Sequence, residues 1–280
     1  VTGVSDVCSS DLTGLSGGAL PHRDAVLLSL ARLDRILKID PVACTARLQC
    51  GVRNLAISEA AAAYGLFYAP DPSSQIACTI GGNVAENAGG VQCLRYGLTV
   101  HNVLEVRGYT VDGEPVVLGG ETLETPGLDL IALAVGSEGT LLIVTEVLVR
   151  LLPRPASRCC LIASFATVAS AGQAVADLIA AGFVPAGLEM MDQAATRMVE
   201  PFVSAGYDLD AAALLLCEAA GSEQEVSEQV LQMREHLVAS GATRVEASRD
   251  EDERQRFWAG RKKAFPAAGR ISPDYYCMDG

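Results

Sequence analysis

The chain has no basic stripe. Its 280 residues carry 21 Lys and Arg against 34 Asp and Glu, a formal net charge of −13. Binding to phosphate backbones is driven by clustered cations, so nucleic acid is excluded as a partner. Histidine is scarce as well. His22, His101 and His236 are the only three, and none sits in a His-x-x-x-His or Glu-x-x-His spacing that would build a metal site or pair a base with a ligand. The nine cysteines form no C-x-x-C pair and no regular framework, which argues against zinc and against a secreted disulfide scaffold. The adjacent Cys159 and Cys160 read as small apolar strand residues in a reducing cytosol. No membrane span is predicted: the longest uncharged run, residues 159–176, carries Ser, Thr, Gly and Gln throughout. Also missing is a G-x-G-x-x-G between a strand and a helix with an acidic residue on the next strand, which sets aside a Rossmann dinucleotide site. What these absences leave is a cytoplasmic protein, free or peripheral to the inner face of a membrane through partners.

What the chain has is apolar content, 50%, ample for a buried core in one large or two ordinary domains. It also has an unusual segment at residues 70–90, PDPSSQIACTIGGNVAENAGG. Four glycines, two prolines and two asparagines fall in these 21 residues, which is loop chemistry rather than core chemistry. Pro70 and Pro72 fix φ, while Gly81, Gly82, Gly89 and Gly90 permit close approaches that a Cβ would block. Asp71 and Glu86 are its only charges, so an anionic ligand would be held here by backbone N–H groups. The other reading of the same residues is a tight turn packed beneath a sheet. A second glycine-rich run, TGLSGGALP from Thr13, offers Gly14, Gly17, Gly18 and the Ser16 hydroxyl as donors, or else an ordinary turn before a strand at 26–28.

Periodicity predicts strands at 33–39 and 46–49 around a turn at Asp40-Pro41, then an alanine-rich helix over 52–64 with Leu55, Ala56, Glu59 and Ala63 at helical spacing, closed by Gly65. A short strand at 66–69 leads into the central segment. Strands at 103–110 and 114–118 bracket Asp112-Gly113, the strongest hairpin signal in the chain, and antiparallel pairing there favours α+β over a doubly wound sheet. Leu130 to Ala134 is an apolar run, 136–139 a loop, and 141–152 a β-rich run.

Pro153 and Pro155 mark a domain boundary. Beyond it strands at 159–165, 184–189, 212–218 and 243–246 alternate with helices at 170–181, 193–203, 223–240 and 250–264, a pattern that suggests a small sheet covered by helices in the split βαβ manner. Arg254, Arg256, Arg261, Lys262, Lys263 and Arg270 form the one dense basic cluster. Most of it reads as a solvated helix face paired with Asp250, Glu251 and Glu253. Arg261 follows Trp258 by three positions, which puts both on one side of a helix; Trp258 reads as core.

These motifs resemble the FAD-linked oxidases of the vanillyl-alcohol oxidase (PCMH) type, most narrowly their glycolate-oxidising members. The resemblance rests on Pro70-Asp71-Pro72-Ser73-Ser74, Thr79-Ile80-Gly81-Gly82-Asn83 and Asn87-Ala88-Gly89-Gly90, and continues through Tyr96-Gly97, Gly136-Ser137-Glu138-Gly139, Gly187-Leu188-Glu189-Met190-Met191-Asp192, Trp258-Ala259-Gly260-Arg261-Lys262 and Ser272-Pro273-Asp274-Tyr275-Tyr276. It implies an α+β protein: a PCMH-type FAD-binding domain lacking its N-terminal part, over 13–153, then an α/β-sandwich cap domain over 154–280. It implies a cofactor site of Thr13, Gly14, Ser16, Gly17, Gly18, Pro70, Asp71, Ser74, Gly81, Gly82, Asn83, Asn87, Gly90, Tyr96, Gly97, Glu138, Gly139 and Ile143, and makes Arg261 the fork that grips a substrate carboxylate. One position departs from the pattern: Leu142 stands where the family usually has Gly, and a leucine near the flavin would crowd the ring or shift the loop.

The implied reaction is hydride transfer to FAD from the α-carbon of a D-2-hydroxy acid, glycolate before D-lactate or D-2-hydroxyglutarate, with partner subunits of a glycolate oxidase complex carrying electrons onward. With no Lys or His placed for covalent attachment in the loops, the FAD is expected to be non-covalent. Residues 1–12 lack the glycine-rich lead-in of related chains and read as non-native sequence. The family's histidine-rich motif, HAGDGNxH in form, which supplies the base and the divalent-metal ligands, lies downstream of the SPDYYCMDG with which this sequence stops. No catalytic or metal residue is therefore expected within the chain, and the alternative from a different class is a catalytically silent flavin-binding fragment.

Overall fold

The structure is a computed structural model and describes residues 5–7 (backbone only), 13–14, 23–122, 127–272 and 274. The chain divides into two compact units, built on Val1–Arg154 and Pro155–Met278.

In unit 1 the backbone of β1 (Ser5–Val7) pairs in parallel with β2 (Leu27–Ser29). The main sheet has five strands, β3 (Ile36–Asp40), β4 (Thr45–Gln49), β6 (Val103–Tyr109), β7 (Pro115–Gly119) and β8 (Ile143–Arg150), in the antiparallel order β3-β4-β8-β6-β7. The Asp112-Gly113 turn closes the β6–β7 hairpin, with Thr110 N donating to Glu114 O and Gly113 N to Thr110 O, both at 3.0 Å. A two-stranded ribbon joins β5 (Leu66–Phe67) to β9 (Leu152–Pro153).

Helix α1 (Asn54–Ala61) ends in a 3₁₀ turn that Gly65 terminates at φ 67°, the left-handed conformation that made Gly65 legible as a stop. Its buried residues are Asn54, Ile57 and Ala61, while Leu55 and Ala56 are half-buried and Glu59 is exposed. Alanines fit either face, so the periodicity of this segment did not fix which side was inward.

The central segment also differs from expectation. Residues 80–86 are not loop but a buried helix, α2 (Ile80–Glu86), whose Thr79 hydroxyl accepts from Gly82 N at 3.2 Å. Two glycines lower helix propensity, yet the Thr79 cap and burial of Ile80 and Val84 in the core override it. Short helices α3 (Cys93–Tyr96) and α4 (Leu130–Ala134) complete the unit. The apolar core gathers Leu48, Ile57, Ile80, Val84, Val106, Val147 and Leu151, and Leu142 belongs to it.

Unit 2 is one four-stranded antiparallel sheet, β10 (Ser157–Phe165), β11 (Gly187–Asp192), β12 (Ala213–Gly221) and β13 (Arg244–Ala247), in the order β11-β12-β10-β13. It interleaves two split βαβ units: α5 (Val168–Ala180) links β10 to β11 with β12 between them, and α7 (Glu223–Ala239) links β12 to β13 with β10 between them. Helices α6 (Gln193–Val203), α8 (Glu251–Lys262) and α9 (Ala264–Ile271) complete it. The helix starts follow from the sequence. Thr167, Asp192 and Asp250 each accept a backbone N–H of their helix's first turn, and Ser222 with Glu225 forms a capping box before α7. One sheet face, with Leu161, Phe165, Leu215 and Cys217, buries against α5 and α7 residues such as Leu178, Met233 and Leu237.

Candidate functional site

In unit 1 the structure draws most of the expected cofactor residues around α2. At its start, the buried Asn83 amide accepts from Asn54 Nδ2 at 2.8 Å and donates to Cys78 Sγ at 3.3 Å, while Asn54 Nδ2 also reaches Pro70 O at 3.1 Å. Pro70 and Asp71 are buried. The Asp71 carboxylate accepts from Gln92 N (3.1 Å) and Gln92 Nε2 (3.2 Å), tying the Pro70-Asp71 strap to the start of α3. A Cβ on Gly90 would land on the Asp71 backbone carbonyl, so the strap and the 87–90 turn are closed against each other. Ser74, half-buried, accepts at its carbonyl from Ala77 N and Cys78 N, both 2.8 Å.

At the other end of α2, Asn87 takes the left-handed conformation at φ 48° and accepts from Val100 N at 3.0 Å. Gly136 N and Glu138 N each donate at 2.8 Å to the last-turn carbonyls Val84 O and Ala85 O. This brings the 136–139 loop, with Glu138 itself at φ 52°, onto the 87–90 turn. The Glu86 carboxyl has its pKa raised, first by desolvation and then by the charge of Glu138. Tyr96 lies edge-on to Phe67, centroids 5.8 Å apart, with the Arg95 guanidinium 5.6 Å from its ring centroid. Gly97 follows it, and Gly97 N donates to Cys93 O. Ile143 and Gly139 are half-buried. Thr13 is half-buried and Gly14 exposed; Ser16, Gly17 and Gly18 lie outside the described residues.

Two expectations are revised. Gly81 N donates to Cys50 O at 2.8 Å and Gly82 N to the Thr79 hydroxyl, so these two N–H groups serve the fold rather than wait for an anion. Gly81 is small for a packing reason, since a Cβ would stand 2.8 Å from that of Cys50. Leu142 is 6% exposed and lies within the core of unit 1.

The lining fits FAD chemically. Gln92 Oε1 is buried with no hydrogen-bond partner among the described residues, and an acceptor of that kind suits the ring N–H or ribityl hydroxyls of a flavin. The Tyr68 hydroxyl is likewise buried with no hydrogen-bond partner among the described residues, and burial pushes its pKa up. No Lys or Arg stands in residues 70–90, which leaves the polar work to neutral groups and backbone.

In unit 2, Arg261 on the last turn of α8 donates from Nε to Glu189 Oε2 at 2.9 Å. One helical face carries Arg254, Trp258 and Arg261, and its other anchor is Glu218. This carboxylate, 3% exposed, accepts from Arg254 Nη1 at 2.5 Å and Trp258 Nε1 at 2.6 Å, with Arg158 at 3.7 Å. Trp258 is buried as expected. The rest of the basic cluster is only partly a solvated face: Arg256 pairs with Glu253, but Lys263 and Arg270 approach the Phe202 ring, at 5.8 and 4.1 Å from its centroid. Asn54, Gln92, Glu189 and Glu218 were not singled out as functional from sequence, although one charge inside the apolar run LLLCEAA was a signal for Glu218. Among the described residues no group of three or more His, Cys, Asp or Glu could hold a metal ion. No helix among them is long and apolar enough to cross a membrane.

The chain belongs to the FAD-linked oxidases. A family model described as FAD binding domain matches residues 7–119, and one described as FAD linked oxidases, C-terminal domain, matches 154–280. Among curated proteins, the glycolate oxidase subunit GlcD of Escherichia coli (strain K12) is 60% identical over 268 residues, 96% of this chain and 54% of that protein. The glycolate oxidase subunit GlcD of Bacillus subtilis (strain 168) is 36% identical over 262 residues, 93% of this chain and 56% of that one. Among solved structures, p-cresol methylhydroxylase with substrate bound superposes with a TM-score of 0.74 at 16% identity, covering 90% of this chain and 55% of that chain, a likeness of fold alone. The fold is thus a PCMH-type FAD-binding domain followed by an FAD-oxidase C-terminal domain, and its cofactor is FAD. The chain spans about half the length of the curated relatives it matches.

Proposed function

We propose that this chain supplies the flavin-binding part (13–153) and the substrate-binding cap part (154–280) of an FAD-dependent oxidoreductase that converts a 2-hydroxy acid, glycolate in the first instance, to the 2-oxo acid. The observation that carries this reading is the 60% identity to a glycolate oxidase subunit across 96% of the chain. Bound FAD supplies the two-electron acceptor. The chain's own share is binding and orientation. The residues around α2 hold the cofactor, without a covalent bond, and Arg261 holds the substrate carboxylate through charge-assisted hydrogen bonds. The enzyme works in the cytoplasm with partner subunits that carry electrons onward.

The test is the visible spectrum of protein purified from the complete reading frame, taken before and after adding glycolate without oxygen. A flavin spectrum that bleaches is the expected result. A flavin spectrum that responds to D-lactate or D-2-hydroxyglutarate but not to glycolate moves the substrate within the class. Folded, colourless protein that cannot be reconstituted with FAD overturns the reading. Yellow colour remaining with acid-precipitated protein overturns the non-covalent attachment.

A further inference from the structure

We propose that Glu189 is a positioning residue for Arg261: it fixes one edge of the guanidinium so that the other is presented to a substrate carboxylate. This rests on the reading of Arg261 as the carboxylate-binding residue.

The geometry starts from the register of the sheet. Gly187 opposes Glu218 and Glu189 opposes Leu216, so Glu189 and Glu218 stand on the same face of the adjacent strands β11 and β12. That face is opposite the one with Leu215 and Cys217, which buries against α5 and α7. Helix α8 meets the two carboxylates with Arg254, Trp258 and Arg261, spaced four and three apart and hence on one side of the helix.

The two ends of this contact differ. At Glu218 the arginine is consumed: Arg254 gives Nη1 to Glu218 and both Nε and Nη2 to Glu251, with its side chain 13% exposed. At Glu189 only Nε of Arg261 is engaged among the described residues, and the side chain is 33% exposed. A guanidinium held at Nε keeps its Nη1–Nη2 pair, the edge that matches a carboxylate bidentately. Glu189 therefore orders a long side chain in advance of binding, which spares the ligand the cost of ordering it. It also leaves the pair neutral, so a bound carboxylate meets one positive and one negative group.

Two consequences separate this from a merely structural ion pair. Glu189→Gln keeps an acceptor for Nε and removes the opposing charge, so substrate binding should be retained or tightened. Glu189→Ala keeps neither, so the guanidinium is released and affinity should fall by about tenfold to a hundredfold, the scale of a misplaced binding group.

The experiment uses the flavin-loaded enzyme from the complete reading frame. It reads kcat and KM for glycolate, the dissociation constant of oxalate from the perturbation of the flavin spectrum, bound flavin per protein, and the melting temperature. The expected result is a raised KM and a raised oxalate dissociation constant in Glu189→Ala, with flavin content unchanged and binding rescued in Glu189→Gln. Should Glu189→Ala not fold, Glu189→Met, similar in volume and without an acceptor, must show the same loss. Wild-type affinity in Glu189→Ala or Glu189→Met overturns the proposal, as does loss of affinity in Glu189→Gln with flavin content unchanged. Arg261→Ala is measured alongside. If it too binds glycolate and oxalate normally, the carboxylate role of Arg261 falls; if it loses them while Glu189→Ala does not, only the positioning role falls.

Discussion

Trp258 and Glu218, 40 residues apart in sequence, meet in a buried hydrogen bond: the indole Nε1–H donates to Glu218 Oε2 at 2.6 Å. The same oxygen accepts from Arg254 Nη1, so one carboxylate in β12 holds two side chains of α8. Because α8 also carries Arg261, the docking of this helix bears on the proposed substrate contact.

Removing the Glu218 carboxylate should destabilise unit 2. Breaking a buried ion pair typically costs about 3–5 kcal/mol, and the lower end is expected here because Glu251 still pairs with Arg254. Glu218→Gln, which keeps an acceptor for the indole, should cost less than Glu218→Ala. Urea unfolding followed by tryptophan fluorescence measures both, and equal stability of Glu218→Ala and wild type would show that the network contributes nothing.

Acid should loosen the same contact. The Glu251 carboxyl is lowered to about 2, first by its hydrogen bond from Arg254. An acid whose folded pKa lies below its ordinary value contributes stability at pH above that ordinary value, and loses it as pH falls toward the folded pKa. The window here runs from about 4.5 down to about 2. Trp258 is the one tryptophan of the chain, so its emission reports on α8 directly. A red shift through that window is expected, and Glu251→Gln should remove part of it; emission that stays constant down to pH 2 contradicts the argument.

Gly90→Ala should disturb the strap rather than the sheet. The added methyl meets the Asp71 backbone, which has no flexible end to swing aside. Overpacking of this kind costs about 1–3 kcal/mol, and the displaced Asp71 would release Gln92. Lower flavin retention per protein, with a modest fall in melting temperature, is the expected pair of results. Full flavin occupancy in Gly90→Ala would separate the strap from cofactor binding.

Leu142→Ala tests whether this side chain belongs to the core or to the cofactor. Its burial among the core residues of unit 1 leads us to expect a loss of about 2–5 kcal/mol, with the flavin absorption maxima unmoved. Shifted maxima with unchanged stability would place the leucine against the ring.

Much of the architecture is legible in the amino-acid sequence. Alternation and turn chemistry mark the β6–β7 hairpin at Asp112-Gly113, and Gly65 marks a helix end, because each of these signals is local. Composition draws attention to residues 70–90, and the family resemblance draws it to Arg261. Local signals fail where packing decides the outcome. Residues 80–86 look like loop and fold as a buried helix, since tertiary burial outweighs the low helix propensity of a glycine pair. The sequence shows Arg261 near Trp258 but not that Glu189 holds its Nε, nor that Glu218 secures the helix they share. Those partners come from strands 36 to 72 residues away, and only the antiparallel register of β11 and β12 sets both carboxylates on the face that meets α8.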